Sequence, residues 1–399
     1  MTHALIIGAG IAGPVAAMAL QRAGVDATVY EAYPGDAPPA GAFLTIAVNG
    51  LAALRTLGLH QPVLNHGFAT ANIAFVNGSG KRLGTVPLGG RLRDGTLTQT
   101  IRRADLYRVL HDAAVRRGIP IEHGKRLVNA ERAPGGGVVA TFADGNRVAG
   151  DFLVGADGIH SLTRRLIDPA ASRPRHLGLG NIGGFAPAGV LPPGSGDYTM
   201  IFGKRAFFGY TATPVGETWW FANPPSAGGA APRNRTTEGW KSYLEALFSG
   251  DAGPAVEIIR ATTHLVPAGD QYDLPRVRTW SRGPMIIIGD AAHAASPSSG
   301  QGASMAIEDA VLLAQCVRDV PTIAGAFAAY ERLRRPRVER VVAFGARSSG
   351  TKSTGPITRT LRDLVLPFVL KRFARVPQDW LFRYEIDWDA QLAPAEHAA

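Results

Sequence analysis

The sequence predicts an α/β protein: a parallel sheet wrapped by helices, interrupted by an inserted, largely antiparallel β-sheet and closed by a C-terminal helical segment. Three observations predict it. Apolar runs that end in glycine recur at residues 4–7, 151–155 and 284–288, as buried parallel strands do. Between the second and third runs, residues 178–275 switch to strand-like runs separated by loops rich in Gly, Pro and Ser. From residue 322 onward the pattern is helical.

Residues 4–31 read as strand, glycine turn, helix, strand. Gly8, Gly10 and Gly13 fit G-x-G-x-x-G, with Ile11 and Ala12 filling the variable pair, so the unit is Rossmann-like. The first glycine permits a tight turn, the second lets a pyrophosphate approach the backbone, and the third lets helix and strand pack closely. The helix N-terminus would hold the diphosphate, and Glu31, at the end of the second strand, would accept hydrogen bonds from an adenosine ribose. A membrane anchor or leader is the competing reading, since residues 4–20 carry no charge. The run falls short of the ~20 apolar residues a span needs. It also carries three glycines and Pro14, and is preceded by His3 with no Lys or Arg.

A chain of 399 residues can bury large cores and fits about two domains; 46% hydrophobic and 19% charged residues are a globular composition. With no other apolar stretch long enough to span a bilayer, the expectation is a soluble, cytoplasmic protein. The one cysteine, Cys316, excludes an internal disulfide and any Cys-cluster metal site, and its apolar helical surroundings suit a small core residue. The net charge of +10 arises from scattered residues; the densest group, residues 332–337, reads as the solvated face of one helix. Nucleic acid is therefore not an expected partner, and the excess charge at most favours anionic cofactors.

The remaining elements follow in order. A Pro- and Gly-rich loop spans 32–41, and a short helix spans 50–59, ending at Gly58. Residues 73–76 and 82–86 form a hairpin around Asn77-Gly78-Ser79-Gly80, the first excursion into the second sheet. Residues 104–117 are a helix with Leu106, Val109, Leu110 and Ala113 on one face; 119–123 are a strand; 138–142 and 147–148 are a hairpin turning at Asp144-Gly145. The inserted region offers strands at 197–202, 206–212 and 218–222, a loop at 224–232 and a helix at 238–248. After Gly289-Asp290-Ala291-Ala292-His293, Met305, Ile307, Ala310, Leu313 and Ala314 mark a helix over 302–316, and the helical tail ends in Trp380, Phe382, Tyr384 and Trp388.

Three glycine-marked strand ends thus stand in sequence, at 8–13, 155–158 and 289–293. In this order they resemble the signatures of the para-hydroxybenzoate hydroxylase-like flavoprotein monooxygenases, the single-component aromatic hydroxylases, from the first strand to about residue 340. The resemblance implies an FAD-binding domain in three parts (1–72, 99–177 and 276–340). It also implies a substrate domain in two parts (73–98 and 178–275) and a C-terminal helical segment (341–399). FAD would meet Gly8, Gly10, Ile11, Ala12, Gly13 and Glu31 at its adenosine end. Arg103 would hold the pyrophosphate, in a role its neighbour Arg102 could exchange with it. Asp157 would contribute to both FAD and nicotinamide binding, and Arg164 matches the arginine of S-x-x-R. Gly289 and Asp290 would hold the ribityl chain; Asp290 could at the same time cap a helix. The loop Pro297, Gly300, Gln301 and Gly302 would lie beside the isoalloxazine, at a helix N-terminus suited to the charge of reduced flavin. Pro297, Gly300 and Gln301 are its catalytic part, with no side-chain base. His293 suits a hydrogen-bonding role at a helix start. Two departures stand out: Ser304 where the family commonly has Asn, and Ala32 where a basic residue often follows the acid.

The implied activity consumes NADH or NADPH as co-substrate, activates oxygen at flavin C4a and passes one oxygen atom to an electron-rich aromatic or polyketide-like small molecule of secondary metabolism, without a metal. The substrate would lie between the antiparallel sheet and the flavin, against Phe207, Tyr210 and Trp220, from the aromatic set that includes Phe208, Trp219 and Phe221. Alternate residues of a strand face opposite ways, and the sequence does not select the half. A phenol would gain from a base; His264 is the candidate, against an ordinary surface role. The expected state is a monomer or homodimer, with neither membrane nor nucleic acid as partner. A halogenase, oxidase or reductase of the same fold is an alternative, though no W-x-W-x-I-P element occurs. A non-catalytic flavin-fold binding protein is another, opposed by the complete set Gly8, Gly10, Gly13, Asp157, Gly289 and Asp290.

Overall fold

The computed structural model describes residues 2–35, 41–226, 235–349, 352, 355–375 and 378–392. Its central sheet has six strands in the order Ser281–Arg282, Met285–Ile287, Phe152–Gly155, His3–Ile7, Asp26–Tyr30 and Ile121–Glu122. All pairs are parallel except the first. Ile7 registers with Gly155, and Gly155 with Ile287. The three glycine-marked strand ends therefore emerge side by side at the carboxyl edge, where open α/β sheets bind ligands. The fingerprint helix Ala12–Arg22 packs against helix Gly302–Asp319, which is buried on nearly every side.

The second sheet has seven strands, in the order His264–Asp273, Arg175–Ala186, Thr218–Asn223, Phe207–Ala212, Tyr198–Phe202, Asn72–Asn77 and Arg82–Pro87. It is antiparallel apart from the pairing of Tyr198–Phe202 with Asn72–Asn77. The hairpin around residues 77–80 thus joins the same sheet as the strands after 175. One face carries Ile182, Phe208, Trp220 and Ala222 into a core closed by helices Thr237–Phe248 and Ala255–Ala261. Strands Phe43–Ile46, Gln99–Arg102 and Gly67–Ala69 form a small sheet at the junction of the two layers.

Several details differ from the sequence reading. The strands Arg175–Ala186, His264–Asp273 and Leu127–Arg132 were not anticipated, nor was the short helix His60–Leu64. The boundary at 340 falls inside the continuous helix Ile323–Ser349. The basic group at 332–337 is not a solvated face, because Arg334 is wholly buried. Residues 36–40, 227–234 and 393–399, parts of the two loops and of the tail, lie outside the described residues. The C-terminal segment closes over the first domain: Gln315 donates to the carbonyls of Asp387 and Ala390, and the Trp388 ring lies between the guanidinium groups of Arg22 (5.0 Å) and Arg318 (4.8 Å). Among the described residues no helix is long and apolar enough to cross a membrane.

Candidate active site

The fingerprint turn has no room for side chains where the motif places glycine. Gly8 has φ +103°, and a Cβ there would stand 2.6 Å from the Ala156 carbonyl oxygen; a Cβ on Gly13 would stand 1.9 Å from the carbonyl oxygen of Gly8. A Cβ on Gly10 would meet nothing within 4 Å, so the approach to the turn is open. No side chain caps the helix that begins at Ala12. Glu31 accepts from the Ala9 amide at 2.7 Å and the Tyr33 amide at 3.0 Å. Those two bonds fix its carboxylate beside the turn and leave lone pairs for further donors.

Arg102 and Arg103 part company where strand Gln99–Arg102 gives way to helix Arg103–Arg116. Arg102 pairs with Glu217 at 2.7 Å and lies over the rings of Phe185 and Trp219, so its side chain packs on the second sheet. Arg103 is exposed beside Gly41, its guanidinium makes no hydrogen bond or ion pair among the described residues, and it acts electrostatically on Asp290. Asp157 accepts from the Ser161 hydroxyl at 2.5 Å and from the amide and hydroxyl of Thr163 at 2.9 and 3.0 Å. Its carboxylate is thus largely occupied in holding the start of helix Leu162–Ile167. The buried Arg164 donates to the carbonyls of Ala291 (2.9 Å) and Ile159 (2.7 Å), tying the second motif to the third.

Asp290 does not cap its helix; Gly289 occupies the cap position and no side chain bonds there. Its carboxylate has no hydrogen-bond partner among the described residues and stays open to solvent at the strand edge. Surrounding protein nonetheless raises its pKa by desolvation, against the opposing pull of His293 and Arg103. His293 is buried and pairs through Nε2 with Asp309, which also accepts from the Gly289 amide at 2.8 Å and from Arg334 at 2.7 Å. Burial alone would raise the Asp309 carboxyl; His293 and Arg334 hold it well below the usual range. Arg334 and Arg337 both bond Glu308, which accepts from Asn49 at 2.6 Å, and Asn49 donates to Gln301 at 2.9 Å. One buried ionic cluster therefore supports both the third motif and the loop after it.

In that loop Pro297–Ser299 forms a single 3₁₀ turn, and Gly300, at φ +60°, ends it in the left-handed region that favours glycine. Gln301 and Gly302 then open the long helix, with no side-chain cap. A Cβ on Gly300 would lie 3.6 Å from the Thr45 hydroxyl, so the loop faces strand Phe43–Ile46. Ser304 accepts from the Ala47 amide at 3.0 Å, and a Cβ on Gly50 would stand 2.8 Å from its side chain. Gly50 thus gives Ser304 the room to lie close against helix Val48–Thr56.

Across strand Phe43–Ile46 lies the other face of the seven-stranded sheet. Pairing of Phe207 with Asn223, Gly209 with Phe221, and Phe185 with Trp219 puts Phe185, Phe207, Trp219, Phe221 and Asn223 on this face. Phe43 sits 5.7 Å from the Trp219 ring and 6.2 Å from that of Phe221. Of the three wall residues expected from sequence, only Phe207 is here. Tyr210 and Trp220 pair with each other on the opposite face, where the buried Trp220 donates to Thr262 at 2.8 Å. His264 is exposed at the start of an edge strand. Sequence reasoning missed Phe43, Glu308, Asp309 and Arg334. The Glu308-Asp309 pair inside an apolar helical repeat was the available signal, because buried carboxylates demand cationic partners.

A carboxyl-edge cleft with an open glycine turn, a free arginine, a free carboxylate and an aromatic wall defines a dinucleotide-cofactor enzyme. Residues 1–345 match the family described as FAD binding domain. The chain is 32% identical over 347 residues to aurachin C monooxygenase/isomerase of Stigmatella aurantiaca, covering 85% of this chain and 86% of the relative. It is 31% identical over 346 residues to FAD-dependent urate hydroxylase of Klebsiella pneumoniae, covering 85% and 87%. Among solved structures, Klebsiella pneumoniae HpxO complexed with FAD and uric acid matches with a TM-score of 0.82 at 26% identity, over 94% of this chain and 96% of that one. The chain belongs to the FAD-dependent monooxygenases of the aromatic hydroxylase family.

Proposed function

We propose that the protein uses NADH or NADPH to insert one oxygen atom from O2 into an electron-rich aromatic or polyketide-like small molecule, in the cytoplasm and without a metal. The observation that carries the reading is the facing of two surfaces across strand Phe43–Ile46: the Pro297–Gly302 loop with its uncapped helix, and the aromatic face of Phe207, Trp219 and Phe221. FAD fits the groups left free. The diphosphate has the open Gly10 turn and the unpaired Arg103, the ribityl hydroxyls have the unpaired Asp290 carboxylate, and the adenosine ribose has Glu31. When bound, FAD supplies the redox and oxygen chemistry. The chain's own residues position it, exclude water with the aromatic face, and set a helix N-terminus toward developing negative charge. The occupied Asp157 acts here by shaping the second motif more than by direct contact. Among the described residues no three acidic, His or Cys side chains gather as a metal site, and two of the relatives are named for oxygenation of aurachin C and urate.

The test is to purify the protein with FAD and screen phenols and polyketide-like aromatics for stimulated NAD(P)H oxidation. A product heavier by one oxygen atom is expected. A yellow protein that NAD(P)H never bleaches under nitrogen, with candidate substrates present, would sink the reading.

A further inference from the structure

The aromatic face ends in a polar corner. Asn223 is 1% exposed and donates to the Gly180 carbonyl at 3.3 Å and to Asn181 at 3.2 Å. Beside it the buried Gln271 donates to the same carbonyl at 3.3 Å, while its own Oε1 has no hydrogen-bond partner. Into this corner reaches Lys352, which follows the helix Ile323–Ser349. That helix abuts the cofactor loop: a Cβ on Gly345 would lie 3.1 Å from Ser299 Cβ. Lys352 Nζ donates to Asn223 Oδ1 at 3.0 Å and lies 4.4 Å from the Phe207 ring centre and 5.8 Å from that of Phe221. Its amine therefore lies against the aromatic wall.

An ammonium group has three donors, and this one spends a single bond on a neutral amide. No carboxylate pairs with it among the described residues. On the following helix, Pro356–Arg375, Arg362 and Asp363 pair with each other at 2.7 Å, and Arg362 lies over Phe202, one ring beyond Phe207. Burial of the amine pushes its pKa down to about 7, while the residue as a whole is partly exposed. Near neutral pH a share of it is free amine, able to accept a proton. A buried cation without a counter-charge is costly unless something else uses it.

We propose that Lys352 is the substrate base and oxyanion anchor: it takes the proton of a phenolic or enolic hydroxyl and holds the oxyanion that results. The O–H bond breaks, an N–H bond forms on Nζ, and the electron pair stays on the substrate oxygen, enriching the carbon that is to be oxygenated. This rests on the monooxygenase reading above, so the test includes an arm that needs no turnover.

At pH 7, trinitrobenzenesulfonate should modify Lys352 faster than the exposed Lys81, and a bound nitrophenol should protect it. In the FAD-loaded protein the bound nitrophenol should show the phenolate band in difference spectra. Lys352→Met should keep its flavin and melt no lower than wild type, bind the nitrophenol protonated, and lose about 100-fold or more in kcat/KM on weakly acidic phenols. Lys352→Arg should bind added phenolate yet fail to deprotonate a phenol. Labelling of Lys352 no faster than Lys81, or a phenolate band that persists in Lys352→Met, would overturn the proposal. A wild type that labels and ionises the phenol as expected but never oxygenates one would instead refute the monooxygenase reading alone.

Discussion

Asp290 has the signature of a residue waiting for a ligand: a carboxylate with no protein partner, raised in pKa by desolvation, beside an equally unpaired Arg103. In the proposed ribityl role, replacing it with alanine would remove hydrogen bonds to a charged acceptor, each worth about 1.5–3 kcal/mol. Asp290→Ala is expected to lower FAD affinity by about tenfold or more, measured as flavin content after gel filtration, with the apoprotein melting no lower than wild type. Full flavin retention would remove Asp290 from the site. At this scale the sequence was most legible where geometry forbids alternatives: Gly8 and Gly13 are glycines because any Cβ would strike backbone. It could not separate Arg102 from Arg103, because the two differ only in which side of a strand-to-helix junction they leave. It misread Arg334, since a cationic run looks alike whether water or buried carboxylates receive it.

At the scale of elements, strand parity decides which aromatics share the face turned toward strand Phe43–Ile46. Trp220→Ala should lower the unfolding free energy by about 3–5 kcal/mol, as a large cavity opens beneath the helices, while the enzyme that remains folded keeps its KM. Phe221→Ala should do the reverse, raising KM with a smaller loss in thermal midpoint. Kinetics and melting curves on the two variants separate the faces, and equal effects on both would reject the assignment. Alternation along Phe207–Ala212 and Thr218–Asn223 was visible in the sequence, but two-sided burial hid its direction, because both faces are aromatic. Strand Arg175–Ala186 was hidden for another reason. Gly183 and Gly184 admit the close approach of Ala42 and of the Trp220 ring, so side chains that would have marked a strand are absent.

At the scale of the whole molecule, the cluster of His293, Glu308, Asp309, Arg334 and Arg337 joins the cofactor edge to the C-terminal helices. Arg334→Met leaves two buried carboxylates short of a cation and is expected to cost about 3–5 kcal/mol, read as a lowered denaturation midpoint. Because the folded Asp309 carboxyl is depressed, its contribution is present above the unfolded value near ~4 and is lost as pH falls below it. The melting temperature of wild type should therefore fall with acidification below about pH 4, and fall less in Arg334→Met; parallel curves would place the acid sensitivity elsewhere. The first strand pairs with residues 152–155, those pair with residues 285–287, and the charges of Glu308 and Asp309 meet the guanidinium groups of Arg334 and Arg337. Such remote pairing folds slowly. A ribosome must therefore release most of the chain before the first domain can close, and until then the aromatic wall has no covering layer, which makes the nascent protein a client for chaperones.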